Sequence, residues 1–255
     1  MLPLKHEIIY GPVNSRRLGR SLGINLLPVR RKVCSFDCVY CQYGRTQVKT
    51  LDPSPEEFPR LDDVVAAVET ALTSGPDFDC FTFSGNGEPT LHPRWPEIVE
   101  VVRRLRDRYR PAGRLSLLSN SSTAARPSVR ATLGQIDAPI MKLDAGDEAT
   151  LMAIDRPVGG ISLEGIVEGL SNVPGLIIQT LMVEGAVTNS SGPAFENWLG
   201  ALARLKPTQV QVYSTDRPVP VAGVARVPPE RLRQITARAT EQTGLDIRAY
   251  WPSPR

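Results

Sequence analysis

Hydrophobic positions along this chain fall into two rhythms that take turns. Leu61 to Leu72 places Val64, Val65, Val68 and Leu72 on one helical face, with Asp62 and Asp63 suited to its first turn. Phe78 to Phe83 is apolar apart from Asp79 and Thr82, which predicts a strand, and it runs into a Gly-Asn-Gly turn. The same exchange repeats downstream. Helices are predicted over Trp95 to Arg110, Ser128 to Ile136, Ile161 to Leu170, Phe195 to Leu205 and Pro229 to Gln242, the last with Pro228 and Pro229 at its start. Strands are predicted over Leu115 to Leu118, Pro139 to Leu143, Leu176 to Val183, Val210 to Tyr213 and Ile247 to Tyr250. Upstream, Leu22 to Leu27 reads as a short strand stopped by Pro28.

The pattern is six strands, each followed by a helix, and then one extra C-terminal strand. Strands alternating with crossover helices predict an α/β fold with a parallel sheet covered by helices. Six units are too few for a closed eight-unit barrel, and periodicity alone also allows an open sheet. No linker separates two cores, so residues 1–255 are expected to form one domain.

In such folds ligands gather at the carboxyl ends of the strands. Those ends carry Gly85, Asn86, Gly87 and Glu88; Ser119 and Asn120; Lys142 and Asp144; Gln179 and Thr180; and Tyr213, Ser214 and Thr215. Strand alternation puts Lys142 and Asp144 on one face, opposite Leu143. A structural ion pair explains those two as well as a ligand contact does, and Asn120 also suits a plain turn.

Composition adds little: 255 residues, 41% hydrophobic, 22% charged and a formal charge of +3. Met1 to Tyr10 has no apolar core of a signal peptide, and no run is long enough to span a membrane. The four cysteines do not form a secreted disulfide framework, and a reducing cytoplasm is the expected compartment. Charge is uneven. Arg16, Arg17 and Arg20, then Arg30, Arg31 and Lys32, all precede residue 34. They read either as a solvated face or as electrostatic capture of an anionic substrate.

The distinctive chemistry lies in Cys34-Ser35-Phe36-Asp37-Cys38-Val39-Tyr40-Cys41, with spacing C-x3-C-x2-C. Thiolates are soft ligands for zinc, copper(I) and iron–sulfur clusters. A structural zinc site wants four protein ligands, and the nearest spare candidates, Cys80 and His92, are remote in the chain. A four-iron cluster on three cysteines fits the count and leaves one iron open. Zinc and ordinary buried thiols are the alternatives. Cys80, within an apolar strand, reads as a buried small hydrophobe, and neither His6 nor His92 has the setting of a catalyst.

The cysteine spacing, with an aromatic residue just before the last cysteine, resembles the cluster loop of radical S-adenosylmethionine enzymes. Ser84-Gly85-Asn86-Gly87-Glu88-Pro89-Thr90 resembles that family's glycine-glycine-glutamate segment, with asparagine in place of one glycine. The resemblance implies a partial (βα)6 TIM-like barrel over roughly residues 12–250. Residues 1–33 would supply a basic segment and the first strand, and 34–41 the cluster loop. It implies a [4Fe-4S] cluster on Cys34, Cys38 and Cys41, and S-adenosylmethionine bound to the open iron. Reductive cleavage would then release a 5′-deoxyadenosyl radical that abstracts hydrogen from substrate.

By the same resemblance the turn of Gly85, Asn86 and Gly87, with Glu88, would hold the methionine end of the cosubstrate. Ser119 or Asn120 would reach its ribose or carboxylate, Tyr40 would lie near the adenine, and Lys142 and Asp144 would complete the site. Arg16, Arg17, Arg20, Tyr213 and Ser214 are the candidate substrate contacts, with the three arginines expected at the barrel mouth. An external electron donor such as flavodoxin or ferredoxin is implied. The substrate is open among a small molecule, transfer RNA and a protein. Gly11 to Gly19 resembles the N-terminus of a branch related to wybutosine-synthesis enzymes, which makes tRNA base modification an alternative. The length resembles compact glycyl-radical activases, and a non-enzymatic zinc or iron–sulfur protein is the third class. No second cysteine group exists to hold an auxiliary cluster.

Overall fold

The computed structural model describes residues 1–251. Its strands are β1 (Ile9–Ser15), β2 (Gly19–Ile24), β3 (Val33–Cys34), β4 (Val48–Lys49), β5 (Cys80–Phe83), β6 (Arg114–Ser119), β7 (Ala138–Lys142), β8 (Ile177–Gly185), β9 (Gln209–Ser214), β10 (Val224–Arg226) and β11 (Ile247–Tyr250). Its helices are α1 (Leu61–Ser74), α2 (Trp95–Tyr109), α3 (Pro127–Leu133), α4 (Glu148–Ile154), α5 (Leu163–Leu170), α6 (Gly192–Leu205) and α7 (Pro229–Thr243). Among these residues no helix is long and apolar enough to cross a membrane.

The main sheet runs β1-β2-β5-β6-β7-β8-β9-β11, with β10 attached to β8. From β2 to β11 every neighbour along that path is parallel. The free edges, β1 and β11, do not pair with each other, so the sheet curls into part of a barrel without closing. This is the expected partial (βα)6 barrel with its extra C-terminal strand.

Strand alternation divides the two faces. Leu22 and Ile24, Phe81 and Phe83, and Leu115 and Leu117 pack with Val64, Val68, Ile98 and Val102 of the covering helices. Their neighbours in sequence point into the lumen and are largely polar. Ser21 meets Thr82 at 2.7 Å, and Cys80 meets Ser116 at 2.8 Å. A second, smaller apolar group of Leu18, Cys80, Ala138 and Ile140 fills the lumen at the amino ends of the strands. Cys80 is thus a buried packing residue.

Besides the short β3–β4 pair, three elements were not expected. β1 pairs antiparallel with β2, so the first strand belongs to a hairpin whose turn carries Arg16, Arg17 and Leu18. β10 pairs antiparallel with β8, and α4 precedes α5 in the crossover after β7. The hairpin also corrects the placement of Arg20. It lies at the amino end of β2, paired with Asp79 just before β5 at 2.8 Å, at the opposite end of the sheet from the cysteine loop. Closeness in sequence to Cys34 does not bring it to the mouth, because β2 carries the chain away from it.

Candidate active site

The cysteine loop follows β2 at the carboxyl end of the sheet. Phe36 and Val39 anchor it in the core, while Cys34 and Cys38 are buried and Cys41 is half-buried. Its backbone is tied to a distant segment. The Asp37 amide donates to the Asp155 carbonyl at 3.0 Å, and the Val39 amide to that of Ile154 at 2.9 Å. The Val158 amide donates back to Ser35 at 2.8 Å.

Burial pushes the Cys34 thiol up to about 11, with Lys32 opposing. Burial also pushes Cys38 well up, and the Asp155 carboxylate adds to it. Such thiols resist ionising unless a cation takes the proton's place, which is what metal ligation does. All three remain free thiols, and each lies within electrostatic range of the others. Yet among the described residues no three Cys, His, Asp or Glu side chains converge on a point that could hold a single ion. Soft thiolate donors gathered in one loop suit an iron–sulfur cluster. Beside them Lys32 is buried, and its ammonium donates to the Gly44 carbonyl at 2.9 Å.

The turn after β5 packs beneath this loop. A Cβ on Gly87 would sit 1.8 Å from the Val33 carbonyl oxygen, so only glycine lets the turn approach so closely. Gly85 has φ +145°, a conformation that side chains oppose. Asn86 is buried, and its amide clamps the N-terminal segment by donating to the carbonyls of Lys5 at 2.8 Å and Pro28 at 3.1 Å. Glu88 is likewise buried and fully engaged. It accepts from the Thr90 amide and hydroxyl, from the Ser119 hydroxyl at 2.9 Å and from the Asn120 amide. Burial pushes its carboxyl up, against the donors led by the Asn120 amide. Glu88 therefore fixes the Ser119-Asn120 turn. In turn the Asn120 side-chain amide donates to Ser35 at 2.8 Å and reaches the Cys34 sulfur at 3.5 Å.

On the other side of the loop is a charged network. The Lys142 ammonium donates to the Tyr40 hydroxyl at 2.6 Å and to Asp144 at 3.1 Å, and sits 4.9 Å from the Tyr40 ring centre. Tyr40 donates to Asp144 and, at 3.3 Å, lies against Asp155. Burial opposes charge on Lys142, but Asp144 and its other anionic neighbours outweigh it and hold the ammonium well above its usual range. Asp155 was not expected at the site. A lone aspartate in a Gly- and Pro-rich crossover gives no periodic signal, and only the adjacent Arg156-Pro157 marks a stiff turn there.

The candidate substrate residues separate. Tyr213 donates to Gln179 inside the lumen at 3.3 Å, and Arg17 reaches the same amide. Ser214 instead links chain segments, donating to the Met182 carbonyl at 2.7 Å and accepting from the Val227 amide at 2.9 Å. Arg16 pairs with Asp216 at 3.1 Å.

A partial parallel barrel whose first loop presents three clustered thiols defines the radical S-adenosylmethionine class. The chain belongs to the Radical SAM superfamily, which it matches over residues 31–183. Within it, a UPF0026 protein of Synechocystis is 36% identical over 215 residues, covering 84% of this chain and 77% of that relative. A UPF0026 protein of Methanocaldococcus jannaschii is 38% identical over 186 residues, covering 71% of this chain and 55% of that one. Solved structures agree in fold. TYW1 with a lysine–pyruvate adduct superposes with TM-score 0.60 at 14% identity, covering 88% of this chain and 74% of that one. Streptococcus suis SuiB bound to S-adenosylmethionine gives 0.64 at 12%, covering 90% and 50%. The enzyme therefore uses a [4Fe-4S] cluster and S-adenosylmethionine, and reductive cleavage of the latter supplies a 5′-deoxyadenosyl radical.

Proposed function

We propose that Cys34, Cys38 and Cys41 hold the cluster at the mouth of the half-barrel, and that a substrate enters the polar lumen beneath it. The observation that carries this reading is the convergence of the turns after β5, β6 and β7 on the cysteine loop, through Gly87, Asn120 and Tyr40. The backbone of the Gly85–Gly87 turn takes the methionine amino group. Ser119 and Asn120 take the ribose or methionine carboxylate, with Glu88 holding them in place. Tyr40, Lys142 and Asp144 bound the adenine side. The protein's contribution is positioning and exclusion of water rather than side-chain acid–base work.

Electrons come from an external one-electron carrier of the flavodoxin or ferredoxin kind, in a reducing cytoplasm that suits cysteines without disulfides. A small molecule is favoured as substrate over tRNA. The likeness to TYW1 supports the tRNA reading. Against it, Arg16 and Arg20 are paired with Asp216 and Asp79, and Arg17 turns inward, which leaves little of the N-terminal basic group for a phosphate backbone. The continuous sheet supports one domain over the described residues 1–251.

The test is anaerobic incubation of reconstituted protein with dithionite and S-adenosylmethionine, read by chromatography. 5′-Deoxyadenosine is expected above a Cys38→Ala control. None, with iron and sulfide verified, removes the enzyme reading. Candidate substrates deuterated at the reacting carbon then identify the hydrogen donor. Deuterium transferred from a protein glycine selects an activase instead.

A further inference from the structure

Lys142, Gln179 and Gln211 are in-register neighbours on β7, β8 and β9, so their side chains form one row across the lumen face. Arg17 reaches that row from the hairpin turn. Its Nη1 donates to Gln179 Oε1 at 3.0 Å and Gln211 Oε1 at 3.3 Å, and its guanidinium carbon lies 4.6 Å from the centre of the Tyr213 ring. The Tyr213 hydroxyl donates to the same Gln179 oxygen at 3.3 Å.

This cation differs from its neighbours. Arg16 and Arg20 have aspartate partners, and Lys142 has Asp144. Among the described residues Arg17 has only neutral amide oxygens, and only Nη1 uses them. No buried side-chain nitrogen lacks a partner, so its Nε and Nη2 edge, which has none, is exposed to solvent. A half-buried guanidinium without a counter-ion is costly, and an incoming anion relieves that cost. The Tyr213 ring covers one face of the guanidinium, so a ligand meets it edge-on, in the plane of its fork. That geometry suits a planar carboxylate through paired hydrogen bonds.

We propose that Arg17, held by Gln179 and Gln211 and backed by Tyr213, anchors a carboxylate of the substrate and points the remainder of the molecule toward the cysteine loop. This rests on the placement of substrate in the lumen given above.

Benzoate, benzamide and phenyl phosphate are the probes, titrated by ligand-observed NMR into protein carrying cluster and S-adenosylmethionine. Benzoate is expected to bind, with benzamide about tenfold weaker or more. Arg17→Gln should weaken benzoate about tenfold, and Arg17→Lys less, since it keeps charge but loses the fork. Gln179→Glu guards against a folding artefact. It gives Arg17 an internal carboxylate, so benzoate should be lost while thermal stability is kept or raised; unchanged benzoate binding in this variant refutes the anchor. Equal benzoate affinity in wild type and Arg17→Gln, tighter phenyl phosphate than benzoate, or no benzoate binding to folded wild type each overturns it too. Deoxyadenosine formation by the wild type is scored separately. Its absence with Arg17-dependent benzoate binding intact removes the radical reading and leaves the anion site standing.

Discussion

The Cys38 thiol donates to the Asp155 carboxylate at 3.2 Å, across 117 residues of chain. Asp155 also meets the Tyr40 hydroxyl, and burial, followed by the Asp144 charge, pushes it up to about 7. Asp155→Ala removes a buried acceptor shared by thiol and phenol. It should cost about 1–3 kcal/mol of stability, measured by chemical denaturation. Unchanged stability would show that Asp155 is idle.

Replacing Cys34, Cys38 or Cys41 by serine should remove or destabilise the cluster, read as iron and sulfide after anaerobic reconstitution. Cys80→Ser should keep full iron, because its sulfur faces Ser116 in the lumen and lies outside the loop. Stoichiometric zinc without sulfide in wild type would contradict the cluster.

Gly87→Ala tests how closely the second motif supports the first. The new methyl carbon would lie 1.8 Å from the Val33 carbonyl oxygen, which must move and carry Cys34 with it. Overpacking of this kind costs about 1–3 kcal/mol. Lower cluster occupancy is expected along with lower stability; normal occupancy would mean that the loop tolerates the shift.

Lys32 is a buried cation against the cysteines, within electrostatic range of all three. Positive charge near a cluster favours its reduced, more negative state. Lys32→Met should therefore shift the midpoint potential to more negative values in an EPR-monitored titration. A potential equal to that of wild type would assign Lys32 to loop packing alone.

His92 gives a pH dependence independent of the cluster. Its Nε2 donates to the Pro59 carbonyl at 3.0 Å, and its Nδ1 accepts from the Arg94 amide at 3.0 Å, an arrangement only the neutral ring can make. Burial holds it below its ordinary range, Pro59 opposes, and Arg94 lowers it further. With the folded value depressed, its contribution is fully present above the unfolded value of about 6.5 and is lost as pH falls through the folded one. The stability difference between wild type and His92→Gln should shrink as pH drops below neutrality. A difference independent of pH would refute the assignment.

The parallel strands were legible because strands covered by helices carry strong apolar sequences, as in Phe81, Phe83, Leu115 and Leu117. β1 was not. It is an edge strand with Gly11, Pro12 and exposed positions on both sides, so it carries neither rhythm. The grouping of Cys34, Cys38 and Cys41 in one loop was legible from their spacing. Glu88 and Asn86 were read as ligand contacts, yet their side chains are consumed by Asn120 and Lys5, because a motif tells which residues are needed and not which way they face. Arg17 was grouped with Arg16 and Arg20 by charge. The hairpin turn, invisible to periodicity, sends the three in different directions.

The bonds from Asp37 and Val39 to Asp155 and Ile154 also bear on how the enzyme is made. A ribosome exposes all three cysteines early, but the segment that backs them emerges only with the end of α4 and the residues after it. Until then the loop is a tethered thiol-rich tail, open to oxidation and to stray metal. With the proposed ligands, insertion of iron and sulfide into the site as it stands in the fold would follow synthesis of the chain through Val158. Loading would then be sensitive to any truncation before that residue.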